Sequence, residues 1–141
     1  MKQDIKIEII SSLLVFLFTY TACSKLMNYR FFAYQLSRAP MLGNSATTIA
    51  WLLPLTELIT VVLLIVKGTR LYGLIVSFFM LFIFTVYISV MLLSGSPLSC
   101  SCGGVLKQLS WKQHLLFNGG CIVINGWGIW VAAKPIVRPA I

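Results

Sequence analysis

Four apolar runs, separated by short polar or breaker-rich stretches, dominate the amino-acid sequence. They cover about residues 7–26, 47–66, 71–93 and 111–133. Each run has the roughly 20 mostly apolar residues that a helix needs to cross the hydrocarbon core of a bilayer. The pattern predicts an all-α fold, a bundle of four transmembrane helices that forms a single membrane domain over residues 1–141.

The stretch between the first two runs has a different composition. Residues 25–36 mix Lys, Asn, Arg and Gln with Leu, Met, Tyr and Phe, a combination typical of a helix at the membrane interface. We therefore expect a short interfacial helix after the first span. The alternative is that these residues extend the first span.

Composition agrees with a membrane protein and argues against nucleic-acid binding. Of the 141 residues, 59% are hydrophobic and only 10% are charged, which is far from the usual balance of a soluble domain. The net charge of +8 would suit a nucleic-acid-binding protein, but the basic residues are spread over the ends of the apolar runs. There they can reach lipid phosphates and set the orientation of the chain.

The orientation follows from the loops. With four spans, both termini and the 67–70 connection share one side of the membrane, and these short segments are basic, which favours the cytoplasm. The loop of residues 94–110 would then face the periplasm or the cell exterior, where disulfides persist. The basic residues on the terminal side are Lys2, Lys6, Lys67, Arg70, Lys134 and Arg138, and those on the loop side are Lys25, Arg30, Arg38, Lys107 and Lys112.

Two cysteines in that loop, Cys100 and Cys102, are separated by one residue. A disulfide between them closes so small a ring that it would contribute only about 1.6 kcal/mol, against about 3 kcal/mol for a 15-residue loop. Such a bridge is also prone to strain, and strained disulfides tend to be the exchanging kind. Basic residues follow the pair and would favour thiolate. The pattern favours redox exchange, with His114 as a candidate proton carrier.

Two other interpretations of the pair stay open. A CxC pair can hold a soft metal ion if His114 or Cys23 completes the site, although a second cysteine pair is missing. The pair could also be structural or inert. His114 itself could be an interfacial histidine satisfied by water or a neighbour.

Cys23, near the end of the first span, has three interpretations. It could be a third redox thiol, since that end faces the same side as the 94–110 loop, or a small apolar residue of the bundle. It could also be the lipidated residue of a lipoprotein signal, because Thr21 and Ala22 precede it. Asp4 and Glu8 fit such a signal poorly.

Polar residues inside the spans are further candidates. His114, Asn118 and Cys121 recur at i, i+4 and i+7, which places them on one helix face; we expect Cys121 to serve in packing. Glu57 falls near the middle of the second span, where a carboxylate is costly unless it is protonated, paired or in a polar cavity. Lys25 is its candidate partner by depth. Two roles of Glu57 are equally supported: a structural contact that holds two helices together, and a proton relay.

Three stretches together resemble the MauE-like branch of the DoxX-type membrane proteins. The first is Thr21-Ala22-Cys23-Ser24-Lys25-Leu26 with Phe31 and Phe32, and the second runs from Pro54 to Glu57. The third is Cys100-Ser101-Cys102-Gly103-Gly104 leading to Trp111, Lys112, His114 and Asn118.

Members of that family are four-span bundles linked to periplasmic disulfide chemistry, including maturation of a disulfide-rich methylamine dehydrogenase subunit. The resemblance implies a bacterial inner-membrane redox partner with Cys100 and Cys102 as the exchanging pair. It also implies that Lys25 and Glu57 belong to the framework. It does not specify a substrate.

The leading functional hypothesis is a membrane thiol–disulfide redox protein that exchanges with a periplasmic thioredoxin-like partner. The cofactor is unknown, and a quinone is a candidate electron carrier only by analogy with other four-helix disulfide-forming enzymes. The alternative is a non-catalytic subunit or assembly factor of a larger inner-membrane complex. A transporter for small molecules or lipids has thin support, because it rests on Glu57 alone.

Overall fold

The computed structural model describes residues 2–38, 43–93 and 111–134. Within them, four helices are long and apolar enough to cross a membrane, no strand occurs, and the predicted all-α bundle is confirmed. The helices are α1 (Lys2–Met27), α2 (Tyr29–Arg38), α3 (Ala46–Ile65), α4 (Arg70–Leu93) and α5 (Trp111–Ala133), with 3-10 turns at Gly43–Ser45 and Lys67–Thr69.

The helix α2 is a separate element, as expected for the polar stretch after the first span, and does not extend α1. At the junction, the backbone N–H of Asn28 donates to the Ser24 carbonyl at 3.2 Å. Phe32 and Leu36, one turn apart on α2, pack on Ala46 and Ala50 of α3. The short helix therefore covers the start of α3.

The turn between α3 and α4 satisfies the carbonyl groups that end α3. Val66 has an extended backbone (φ −75°, ψ 118°), which stops the helix. The hydroxyl of Thr69 donates to the Leu63 carbonyl at 3.1 Å, and Nε of Arg70 donates to the Leu64 carbonyl at 3.2 Å. These bonds replace the partners that the last turn of a helix lacks, so α4 can return directly alongside α3.

The four long helices form a ring in which α1 and α4 each pack against both α3 and α5. The start of α1 lies beside the end of α5, where Lys6 Nζ is 5.5 Å from the centre of the Trp127 ring. Neighbouring helices in the ring are antiparallel. Cys121 of α5 is buried, as expected, in the apolar core; the other buried members of that core are Ile10, Leu14, Phe18, Val61, Leu64, Leu74 and Leu81.

The outer surface of the bundle is apolar. Large side chains such as Phe16 (75% exposed) and Leu116 (79% exposed) point away from the core. In a bilayer these side chains contact lipid, which supplies no driving force for helix association. Close packing and polar contacts must therefore hold the helices together.

One polar contact joins α4 to α5. The Asn125 side-chain amide lies 2.7 Å from Ser77 Oγ, which donates to the Leu74 carbonyl at 2.9 Å, and both side chains are fully buried. Because apolar surroundings offer no other partners, such a bond fixes how the two helices face each other.

Gly73 allows a very close approach of α4 to α3. A Cβ atom at this position would lie 2.9 Å from the backbone nitrogen of Leu64 and 3.0 Å from the carbonyl carbon of Leu63. Backbone atoms cannot rotate away as the end of a side chain can. Any larger residue must therefore push the two helices apart.

We expect Gly73→Ala to lower the free energy of unfolding in detergent by about 1–3 kcal/mol, the usual cost of overpacking. Gly120→Ala is the matched control, because a Cβ there meets no described atom within 4 Å and alanine is the better helix former by up to about 1 kcal/mol. Thermal unfolding followed by circular dichroism measures both. Equal effects of the two changes would contradict the close approach at Gly73.

Candidate functional site

A buried ion pair lies between α1 and α3. The Lys25 ammonium is 2.5 Å from Glu57 Oε1, and the two residues are only 2% and 1% exposed. Among the residues that the structure describes, these are the charged side chains in the interior. The two residues that the sequence suggested as partners by depth are thus in direct contact.

The helical period of α1 places Thr21 and Lys25 on its buried face. Ile10, Leu14 and Phe18 line the core face, and Thr21 and Lys25 continue that face at the next turns. The Thr21 hydroxyl is 3.3 Å from Glu57 Oε1 and 3.2 Å from the Phe18 carbonyl. Since Lys25 is in the last turn of α1, its charge is also favoured by the negative end of the helix dipole.

On α3, Pro54 and Glu57 are one turn apart and both are buried. Glu57 lies near the middle of this helix, whereas Lys25 lies near the end of α1. They can meet because the first turns of α3 extend past the end of α1, where α2 covers them. This offset explains how a residue near a span boundary reaches one in the middle of the next span.

Two aromatic rings complete the surroundings of the ammonium. Lys25 Nζ is 5.9 Å from the centre of the Phe32 ring on α2 and 5.1 Å from that of Phe84 on α4. Both distances are within the range of a cation–π interaction, which gains strength when the cation is shielded from water. One side chain of α1 thus contacts α2, α3 and α4.

The fifth helix contributes to the same site. His114 and Asn118 of α5 are 5% and 6% exposed, and together with Lys25 and Glu57 they line a cavity of about 40 Å³. The predicted face of His114, Asn118 and Cys121 therefore points inward. The other side chains around the cavity are Leu17, Phe18, Thr21, Leu81, Phe84 and Phe117.

The cavity has both polar and apolar groups in its walls. Oε2 of Glu57 is buried and accepts no hydrogen bond from any residue that the structure describes. A volume of about 40 Å³ is enough for two or three water molecules, because each needs roughly 10–15 Å³ of this kind of space. The arrangement can thus hold a hydrated carboxylate next to a fixed cation.

The same volume excludes larger ligands. Small-molecule sites usually measure roughly 300–1,000 Å³, so a quinone ring does not fit this cavity of about 40 Å³. In the described ranges, no three His, Cys, Asp or Glu side chains come together as metal ligands. The polar cluster is suited to holding charge or protons.

The two cysteines that the structure describes lie apart from each other. Cys121 is buried in the core, whereas Cys23 is exposed on the outside of α1, although Lys25 two residues later points inward. Cys23 therefore does not share the buried site. Cys100 and Cys102 lie outside the described residues.

Sequence reasoning did not identify several members of the site. Thr21 appeared only beside Cys23 and in the family resemblance, Phe32 appeared only in that resemblance, and Phe84 and Phe117 gave no signal, because they are apolar residues in apolar runs. The helical spacing of Thr21 and Lys25 could have indicated Thr21. Whether Phe84 and Phe117 face the site depends on how α4 and α5 are rotated about their axes.

Comparison with known proteins gives a match over most of the chain. A family model described as "Methylamine utilisation protein MauE" matches residues 3–131. No curated protein and no solved structure matches the chain.

We expect Lys25→Met to destabilise the bundle by about 3 kcal/mol, because it leaves a buried carboxylate without its cation. Adding Glu57→Gln should restore most of that loss, since the double variant carries no buried charge. Thermal unfolding in detergent of the wild-type protein, the two single variants and the double variant measures the coupling between the two residues. Lys112→Met, on an exposed position of α5, is the control and should change little; strictly additive losses in the double variant would contradict coupling of the pair.

Proposed function

This chain belongs to the MauE family, and on that basis we propose that it is a membrane thiol–disulfide redox protein that acts through Cys100 and Cys102. Its partner would be a periplasmic thioredoxin-like protein. The family match indicates a membrane accessory protein, with which a redox-associated role is consistent. The exchange chemistry and the partner are our proposal.

The observation that carries the proposal is the position of the polar cluster relative to the cysteine-bearing segment. Residues 94–110 connect Leu93, the last residue of α4, to Trp111, the first residue of α5. His114 lies one turn into α5 and lines the cavity with Lys25 and Glu57. The buried charges therefore lie close to the end of the bundle from which that segment emerges.

The proposed exchange needs no reactant beyond the two proteins. A thiolate of the reduced partner attacks one sulfur of the Cys100–Cys102 disulfide, so that a mixed disulfide forms and the intramolecular bond breaks. The second partner thiol then attacks the mixed disulfide. The partner is oxidised by two electrons, and Cys100 and Cys102 become thiols with the two protons that the partner thiols lose. The reverse direction uses the same steps.

In this proposal Lys25 and Glu57 position the helices, and His114 is a candidate to carry protons to and from the pair. The ion pair joins α1 to α3 at the end of the bundle that would support the exchanging segment. His114 is nearest in sequence to that segment among the cavity residues. Cys23 is exposed on the outside of α1, and its role as a third redox thiol stays a prediction.

We further propose the bacterial inner membrane as the location, with both termini in the cytoplasm and the 94–110 loop in the periplasm. The four apolar helices fit a multi-pass membrane protein. The basic residues of the short terminal and 67–70 segments support this orientation.

The second candidate is a non-catalytic subunit or assembly factor of a larger membrane complex. It is supported by the small polar surface between the spans, since the described connections include two turns of three residues each, at Gly43–Ser45 and Lys67–Thr69. Little of the described chain could thus contact a water-soluble substrate. The apolar outer surface would then contact other subunits as well as lipid.

Topology gives a first test. An alkaline phosphatase reporter, active only outside the cytoplasm, should be active when inserted in the 94–110 loop and inactive when fused after Ile141. The expected result follows from the position of the basic residues in short segments. The opposite pattern would contradict the periplasmic loop and, with it, the redox proposal.

Cysteine variants test the exchange itself. Cys100→Ser or Cys102→Ser should lower the free energy of unfolding by no more than about 1.6 kcal/mol, because a bridge across so small a loop contributes only about that much. One of the two variants should accumulate a mixed disulfide with a periplasmic protein, since the remaining thiol can attack but the resolving thiol is missing. Non-reducing gels after acid quenching detect the adduct.

The double variant Cys100→Ser/Cys102→Ser is the control and should form no adduct. Cys121→Ser, at a buried position of α5, should leave the adduct of the trapping variant intact. If neither single variant yields a reducible adduct and the double variant supports full function in a deletion strain, the pair is not catalytic. The accessory-subunit proposal would then be preferred.

A further inference from the structure

A second polar region lies at the opposite end of the bundle from the Lys25–Glu57 pair. Two adjoining clefts, of about 480 and 380 Å³, share Glu8 and Arg70 in their walls. They lie where the start of α1 meets the end of α3 and the start of α4. Unlike the cavity at Lys25, each has the volume of an ordinary small-molecule site, roughly 300–1,000 Å³.

The clefts carry charges of both signs. Lys67 and Arg70 line the smaller cleft together with Asp4 and Glu8. Glu8 is exposed, and in the described part of the chain it forms no ion pair within 4.0 Å. A ligand that carries a negative group near the two cations and a positive group near Glu8 would complement this surface.

A buried hydroxyl lies deeper in the larger cleft. Ser11 follows Glu8 by one turn on α1 and is 3% exposed. Its Oγ has no hydrogen-bond partner among the described residues, and it lines the cleft. A hydroxyl buried in this way is costly unless a partner is present, so Ser11 indicates a ligand with an acceptor oxygen at this depth.

Beyond Ser11 the larger cleft is mainly apolar, although Ser12 and Thr19 also line it. Val15 and Phe16 of α1 and Leu64 and Ile65 of α3 line it, and Phe16 and Ile65 are 75% and 59% exposed on the outer surface. Going from the Lys67–Thr69 turn toward the middle of α1, charged groups therefore come first, the buried hydroxyl comes next, and mainly apolar side chains come last. A phospholipid has the same order, in its headgroup, ester carbonyls and acyl chains.

We propose that this cleft binds an aminophospholipid of the phosphatidylethanolamine type. The lipid phosphate lies against Lys67 and Arg70, and the primary ammonium lies against Glu8, with Asp4 nearby. The Ser11 hydroxyl donates to an ester carbonyl, and an acyl chain follows Phe16 and Ile65. The site is independent of the Cys100/Cys102 chemistry.

Charge complementarity distinguishes this lipid from the other common bilayer lipids. Phosphatidylglycerol offers a phosphate but no cation, so Glu8 would repel it. Phosphatidylcholine has a cation without N–H groups, which cannot donate hydrogen bonds to a carboxylate. Phosphatidylethanolamine satisfies both signs with hydrogen-bonding groups.

Native mass spectrometry of the full chain in detergent can test the site, with equimolar phosphatidylethanolamine, phosphatidylglycerol and phosphatidylcholine of identical acyl chains. We expect wild-type protein to retain phosphatidylethanolamine about two- to fivefold more than either competitor, as one partly exposed ion pair allows. Glu8→Gln should remove this preference and raise the share of phosphatidylglycerol. Ser11→Ala should lower retention of all three lipids.

Lys112→Gln, an exposed change on α5 away from the cleft, is the matched control and should keep the wild-type ratio. The unfolding midpoint of each variant is first compared with that of the wild-type protein. We expect Glu8→Gln to leave it unchanged, because Glu8 is exposed. Equal retention of the three lipids by wild-type protein, or a ratio that Glu8→Gln leaves unchanged, would overturn the proposal.

Discussion

A charge inside an apolar bundle has to be balanced within the protein, because neither lipid nor the surrounding side chains can solvate it. Here the Lys25 ammonium is balanced by Glu57 at 2.5 Å and by the rings of Phe32 and Phe84. These partners lie on three different helices. The position of this one cation therefore constrains how α1, α2, α3 and α4 can be arranged, since any other arrangement would leave a buried charge unpaired at a cost of several kcal/mol.

Other contacts between the helices are compatible with the position of this ion pair. Apolar helices gain little from burying apolar surface when the alternative is lipid, so small residues and polar bonds decide which faces meet. Gly73 lets the α4 backbone approach that of α3, and Asn125 joins α5 to Ser77 of α4. Together with the ion pair, these contacts hold adjacent pairs of helices at different heights along the bundle.

The two ends of the bundle have different chemistry. At one end a small cavity brings together a fixed cation, a carboxylate with one unpaired oxygen among the described residues, and the side chains of His114 and Asn118. At the other end the clefts are larger, carry both charges and continue into the apolar surface. In our two proposals, the first arrangement supports exchange chemistry at one end of the bundle, and the second binds lipid at the other.

By itself, the sequence determined the number and approximate positions of the four long helices, favoured a separate helix α2, and placed His114, Asn118 and Cys121 on one helix face. Hydropathy and helical period depend only on neighbours along the chain, which is why these features could be predicted. It also identified Lys25 and Glu57 as candidate partners. Only the tertiary structure decided that they touch, that Phe32 and Phe84 enclose the cation, that Cys23 points outward, and that Glu8, Ser11 and Arg70 line one cleft. Those features depend on the rotation and offset of each helix relative to the others. The sequence of an apolar run does not show which of its faces will be turned inward.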